Sequence, residues 1–290
     1  MVPHFSHLRK YFFWTALSPS SIIKKYYGEN ETEATAVNHS PFPILEFDPD
    51  RRAKLTPEHP DTPLLPQRCV ITFFREALEE LVREQNLEPI AHLHSEIVDL
   101  PIYQLERGGE PVCVALPFAT SPGAVCTLEE LHALGAEKFV VCGGAGCLTP
   151  GLELGRIILP VSAVRDEGAS YHYLEPGREA ACPAEGLAAA RRGLASLGIP
   201  VLEGKTWTTD ALYRETEEKI ARRAAEGCLT VEMECAGFFA AAQFHGLPLA
   251  QLLYAGDDLS ADTWDSRGWD RQHTVRRNLL ETALDLVTYF

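Results

Sequence analysis

Two glutamates separated by one residue, Glu232 and Glu234 in LTVEMECAG, stand at the end of an apolar run. A buried carboxylate is costly unless something pairs with it, so the placement asks for a reason. It fits a helix start, where acidic side chains suit the positive end of the helix dipole. It equally fits a pocket in which a carboxylate accepts hydrogen bonds from two vicinal hydroxyls, as on a ribose, and such charge-assisted bonds are strong. A second candidate is CGGAGCL at 142–148, where Gly143, Gly144 and Gly146 follow the run KFVV. Glycines at a strand end let the backbone approach a ligand and present N–H groups to it; they also make ordinary tight turns. The third is Asp257–Asp258, after AQLLYAG. Adjacent aspartates raise each other's pKa and partial burial adds to this. One of them could therefore hold a proton near neutrality, and a protonated carboxyl is what stabilising a departing heterocyclic base needs. A solvated acidic loop is the competing reading.

Such residues need a scaffold, and the chain supplies one from Cys69 onward. CVITF reads as a buried strand, REALEELVREQ as a helix and IAHLH as a strand. A hairpin is expected around Arg107, Gly108 and Gly109, leading to PVCVALP, and then a helix TLEELHALG that stops at Gly135. Strands at KFVV, GRIILPVSAV, VLEGKTWTT, LTVEMEC and PLAQLLYAG alternate with helices at GLAAARRGLASLG and AGFFAAAQFHG, and a helix over about 271–288 closes the chain. Continuous apolar strands are covered on both faces. The pattern predicts a single α/β domain over 67–290 with a central mixed, largely parallel β-sheet flanked by helices. Ligands in such sheets collect at the carboxyl ends of strands. Residues 1–66 read instead as an irregular extension: seven prolines fall between 41 and 66, which breaks helices and ladders alike. One short strand is expected there, at PILEF.

A net charge of −15 without basic runs argues against nucleic-acid backbones and anionic membranes as partners. No apolar run is long enough to cross a bilayer. The eight cysteines form no CxxC pair and have no histidine cluster beside them. They read as small buried hydrophobes in a reducing compartment, with the cytoplasm expected and no zinc site.

CGGAGCL, VRDEGASYHY, TWTTDALY, VEMECAG and AGDD occur in the order and spacing of the nucleoside phosphorylase-I family, which contains uridine phosphorylase, hexameric purine nucleoside phosphorylase and methylthioadenosine nucleosidase. The chain resembles that family from about Cys69 to its end. The resemblance implies cleavage of an N-glycosidic bond through an oxocarbenium-like sugar, with phosphate or water attacking C1′ and without metal or organic cofactor. It implies that Glu234 holds the ribose 2′- and 3′-hydroxyls, that Met233 packs on the sugar and that Glu232 supports the site. Gly143, Gly144 and Gly146 would lie beside the glycosidic bond and the nucleophile, and Asp257 would be the general acid at a purine base. Thr208, Thr209 and Asp210 would fall beside sugar and base, with Tyr213 or Leu212 stacking on the base. It also implies a homodimer or hexamer whose partners are a nucleoside and phosphate.

The chain departs from the family in places. Thr216 and Glu218 stand where uridine phosphorylases read uracil with Gln and Arg. Val141 replaces a phosphate-binding arginine, and Phe74-Arg75-Glu76 replaces the expected GDPxR loop; a DPDR string occurs earlier, at 48–51. Arg75 and Arg51 are the remaining phosphate-binding candidates. Glu76 stands near the place of a water-activating base in nucleosidases. Arg165, Asp166 and Glu167 read as an ion-pair network or part of a lid, and His172 as a packed histidine.

Overall fold

A computed structural model describes residues 39–57 and 64–290. Ten strands form one sheet: β1 (Arg68–Thr72), β2 (Pro89–His94), β3 (Asp99–Arg107), β4 (Glu110–Ala115), β5 (Lys138–Cys147), β6 (Ile157–Asp166), β7 (Glu179–Ala181), β8 (Leu202–Thr209), β9 (Cys228–Glu232) and β10 (Leu249–Asp258). Six helices flank it: α1 (Arg75–Gln85), α2 (Thr120–Ala133), α3 (Ala184–Leu197), α4 (Glu217–Ala225), α5 (Cys235–His245) and α6 (His273–Leu286). The mixed α/β architecture is the expected one.

The sheet has two halves. Strands β5, β9, β8, β6 and β10 follow one another in a closed ring, because β10 pairs with both β5 and β6. From β5 an open wing continues through β1, β4 and β3 to β2. Within the ring β6, β8 and β9 run parallel to one another and β5 runs parallel to β10, while β9 meets β5 antiparallel. The wing contains the expected hairpin: Arg107 faces Glu110 across Gly108 and Gly109, both at positive φ, which suits a two-residue turn matching strand twist.

Burial explains the helices. α5 is a run of small and aromatic residues buried from Cys235 through Ala242, so it lies inside the molecule and not on its surface. Gly237 in its first turn leaves room for Ser121 of α2; a Cβ there would stand 2.2 Å from Ser121 Oγ.

Several elements differ from expectation. PILEF carries a 3-10 turn at Pro43–Leu45 and no strand, consistent with its flanking prolines. The last helix is shorter, Leu286 ending it before a 3-10 turn over Val287–Tyr289, whereas α2 begins at Thr120, ahead of the expected TLEEL. Residues 1–38 and 58–63 of the expected extension lie outside the described residues. Among the described residues no helix is long and apolar enough to cross a membrane. All eight cysteines are free, and Cys126 is exposed where burial was expected.

Candidate active site

The two readings of the glutamate pair divide between its members. Glu232, the last residue of β9 and 7% exposed, is the helix cap. Its Oε2 accepts the N–H groups of Glu234 (2.8 Å) and Cys235 (2.6 Å), and its Oε1 accepts the Thr208 hydroxyl (2.6 Å). Thr208 Oγ1 in turn accepts the Ala236 N–H at 2.9 Å. First-turn amides of α5 that would otherwise lack partners are thus satisfied from β8 and β9. Burial, then the charge of Glu234, pushes the Glu232 carboxyl up to about 8 against the three donors.

Glu234 directly precedes α5 and makes no side-chain cap. Its half-buried carboxylate accepts the Thr120 N–H through Oε1 at 2.8 Å. Burial raises its pKa, and the Thr120 and Met233 amides hold it back. A carboxylate has about four acceptor positions, so capacity remains for hydroxyl donors. Met233 is half-buried between the two acids.

The glycines do not form a turn. Gly143, Gly144 and Gly146 lie inside β5, none at positive φ. They are needed for close approach instead. A Cβ on Gly144 would meet the Tyr254 ring at 2.9 Å, and one on Gly146 would meet Leu259 at 2.5 Å and Asp257 Oδ1 at 3.4 Å. Gly146 pairs with Val231, the neighbour of Glu232, and Cys147 pairs with Asp258. On the other side Thr208 pairs with Glu232, and Thr209 with Asp166. Adjacent strands stand about 4.8 Å apart, so this staircase of registered pairs brings the ends of β5, β8, β9 and β10 together.

Asp257 sits in a bulge. Ala255 faces Ala145 and Asp258 faces Cys147, leaving one extra residue on β10, the arrangement that re-aims side chains. Asp257 Oδ2 accepts the Trp264 indole N–H at 2.7 Å. Arg267, at φ 44, donates to the Asp257 carbonyl (3.0 Å), Cys147 Sγ (2.7 Å) and the Leu152 carbonyl (2.8 Å), tying β5 to β10. The expectation of mutually raised aspartates fails at Asp258. Burial raises its carboxyl, but Ser260 and Arg267 outweigh that and hold it below the ordinary range.

The other expected site residues scatter. Thr208 is wholly buried and spends its hydroxyl on Glu232; buried Thr209 accepts the Ala211 N–H. Asp210 is exposed and accepts the Gly168 N–H at 2.9 Å. Tyr213 is 94% exposed and Leu212 51%, so neither lies packed in a pocket of this chain. Arg51 rests over the Phe244 ring at 4.9 Å. Phe244 lies ten residues along α5 from Glu234, about 15 Å by helix rise. Arg75 is exposed at the start of α1, with no ion pair among the described residues. Glu76 pairs with Arg276 at 3.4 Å. His172 is exposed and not packed. Arg165, Asp166 and Glu167 do form networks: Asp166 accepts from Trp207, Lys219 and Arg223, while Arg165 and Glu167 meet at Ser170.

Sequence reasoning missed four participants. Thr120, Ser121 and Arg267 reach the site only through tertiary contacts. The fourth is Glu215, half-buried ahead of α4, whose carboxyl burial and the Asp257 charge push up to about 7. An acid in TDALYRE offers no pattern that marks it. Among the described residues no group of three or more His, Cys, Asp or Glu side chains is arranged to hold a metal ion.

A strand-end cluster of this kind on a mixed sheet matches a known class, and the chain belongs to it: the sequence profile of the phosphorylase superfamily covers residues 67–290. The relatives are distant. Uridine phosphorylase of Thermococcus kodakarensis is 34% identical over 105 residues, 36% of this chain and 38% of that protein. Guanosine phosphorylase of Halorubrum lacusprofundi is 28% identical over 58% of this chain and 71% of its own length. Purine nucleoside phosphorylase DeoD-type of Colwellia psychrerythraea is 27% identical over 53% and 65%. The chain thus matches well under half the length of the first of these and about two thirds of the other two. Among solved structures, purine nucleoside phosphorylase from Toxoplasma gondii in complex with immucillin-H superposes with a TM-score of 0.65 at 20% identity, over 77% of this chain and 90% of that one. AMP nucleosidase from Bacteroides thetaiotaomicron gives 0.62 at 19%, over 77% and 88%. At these identities the structures speak for the fold.

Proposed function

We propose that the chain is a nucleoside phosphorylase that cleaves the N-glycosidic bond of a purine ribonucleoside with phosphate, releasing the base and ribose 1-phosphate. The observation that carries this reading is the half-buried Glu234 carboxylate, anchored by one amide and set two strands from Asp257. As the bond breaks, positive charge grows on the sugar and negative charge on the base. A carboxylate that grips the 2′- and 3′-hydroxyls sits beside the first, and Asp257 delivers a proton to the second. A purine is favoured because Thr216 and Glu218 stand where uridine phosphorylases read uracil with Gln and Arg. Residues 67–290 would hold this activity, with 1–66 an extension, in a cytoplasmic homodimer or hexamer that needs no cofactor; eight free cysteines suit a reducing compartment.

One observation favours hydrolysis as a second reading. Val141 is buried in β5, Arg51 is engaged with Phe244 and Arg75 points to solvent. Neither Arg51 nor Arg75 therefore stands at the glycine strand to clamp phosphate, and Arg267, which does reach its end, is spent on Cys147 Sγ and the carbonyls of Asp257 and Leu152. A panel of nucleosides incubated with and without phosphate decides between them. Phosphate-dependent base release is the expected result, release without phosphate makes the protein a nucleosidase, and binding without release under either condition removes the enzyme reading.

A further inference from the structure

Thr120 is one of three non-glycine residues at positive φ, 68°, among the described residues. A β-branched residue is a true outlier there, and such backbone persists only where surrounding contacts enforce it. The contacts are identifiable. Next to Thr120, the Ser121 hydroxyl donates to Glu167 Oε2 at 2.7 Å. Glu167 is buried; its Oε2 also accepts the Ser170 N–H at 3.1 Å and its Oε1 accepts the Ser170 hydroxyl. Ser170 Oγ further accepts Arg165 Nε at 2.8 Å, and the Arg165 guanidinium is fixed by the carbonyls of Glu175 (2.7 Å) and Leu174 (3.1 Å). Two glycines clear the way. Gly237 admits Ser121 against α5, and Gly123 admits the Phe118 backbone, which a Cβ would approach to 2.9 Å. The outcome of the distortion is a single bond at the site, Thr120 N–H to Glu234 Oε1 at 2.8 Å.

We propose that Glu167 is a positioning residue: by holding Ser121 it locks Thr120 in the left-handed conformation that aims its N–H at Glu234 and so orients that carboxylate toward the sugar. Glu167 touches no reacting atom. It acts through Ser121 and Thr120, so its removal displaces the grip on the sugar hydroxyls while leaving the acid Asp257 alone. The inference rests on the proposed role of Glu234 as ribose ligand.

The test compares Ser121→Ala and Glu167→Gln with Thr127→Val. Thr127 also anchors the start of α2, its hydroxyl accepting the Phe118 N–H at 3.0 Å, yet it contacts neither Glu167 nor Glu234. Two quantities are read. One is the ratio of kcat/KM for a ribonucleoside to that for its 2′-deoxy analogue. The other is the titration of Glu234, followed by carboxyl NMR in protein labelled at glutamate. Ser121→Ala and Glu167→Gln are expected to lower the ratio about tenfold, the scale of one misplaced charge-assisted hydrogen bond, and to raise the Glu234 pKa, since the Thr120 amide now holds it down. Thr127→Val is expected to lower Tm and to move neither readout. A folded Ser121→Ala protein with the parent ratio and the parent titration overturns the proposal. If the parent releases no base from any nucleoside, the functional reading falls, and the titration still decides whether Glu167 positions Glu234.

Discussion

The closed ring and the open wing of the sheet end their strands differently. In the wing, apolar residues such as Ile71, Leu93, Ile102 and Val114 are buried along the strands, and Thr72, buried at the end of β1, accepts the Phe74 N–H, while the polar residues at the outer tips belong to solvent. His92 and His94 share the exposed Asp99 carboxylate at 3.0 and 3.2 Å on the outermost pair of strands. In the ring, Asp166, Thr208, Glu232 and Asp257 stand at strand ends half-buried or buried, and each finds a donor or acceptor on a neighbouring element. Buried polar groups persist when partners converge on them. Convergence of several such groups requires several strand ends in one place, as in the ring. The chemistry is therefore expected in the ring, with the wing as support.

Four measurements test that contrast. Asp257→Asn should give the largest effect, a loss of about 100-fold or more in kcat on nucleosides with poor leaving groups. Bases that leave readily should suffer much less; an equal loss on both would deny the acid role. Glu234→Gln comes next, with kcat/KM expected to fall about 10- to 100-fold and Tm to change little. Turnover at the parent level would place the sugar elsewhere.

The third measurement concerns pH. Glu232 and Glu215 rise from an ordinary 4.5 to about 8 and about 7. The folded state then holds their protons more tightly than the unfolded chain, so their contribution is complete below about 4.5 and is lost as pH climbs through 7 to 8. Urea midpoints should decline over that window, and Glu232→Gln should flatten the decline. A midpoint that stays level there would mean Glu232 is ionised throughout. The smallest effect belongs to the wing: His92→Ala, at an exposed site, should shift stability by no more than about 0.5 kcal/mol and leave base release unchanged. A tenfold loss of activity would end the division of labour between the halves.

Much of the scaffold was legible from the residues alone. Apolar runs and glycine stops located most strands and helices, and the hairpin at Gly108–Gly109 followed from turn chemistry. The glycines of CGGAGCL misled because a glycine in a strand reads like a break, whereas Gly144 serves the Tyr254 ring and Gly146 serves Leu259 and Asp257, all more than a hundred residues away. Glu232 and Glu234 were both visible, but their division into cap and free carboxylate depends on Thr208 and Thr120. Spacing along the chain carries no information about those partners. Arg51 and Arg75 stood out as cations in suggestive strings, and tertiary packing gave the first an aromatic ring and the second water.

The extra residue that β10 carries between Ala255 and Asp258 bears on how this chain tolerates insertion and deletion. Residues in register on adjacent strands share a face, so removing Gly256 would restore an even count against β5 and set Asp257 directly opposite Gly146. Sequence length at that point, more than sequence identity, decides how far Asp257 stands off the β5 backbone and whether it keeps its reach to the Trp264 indole.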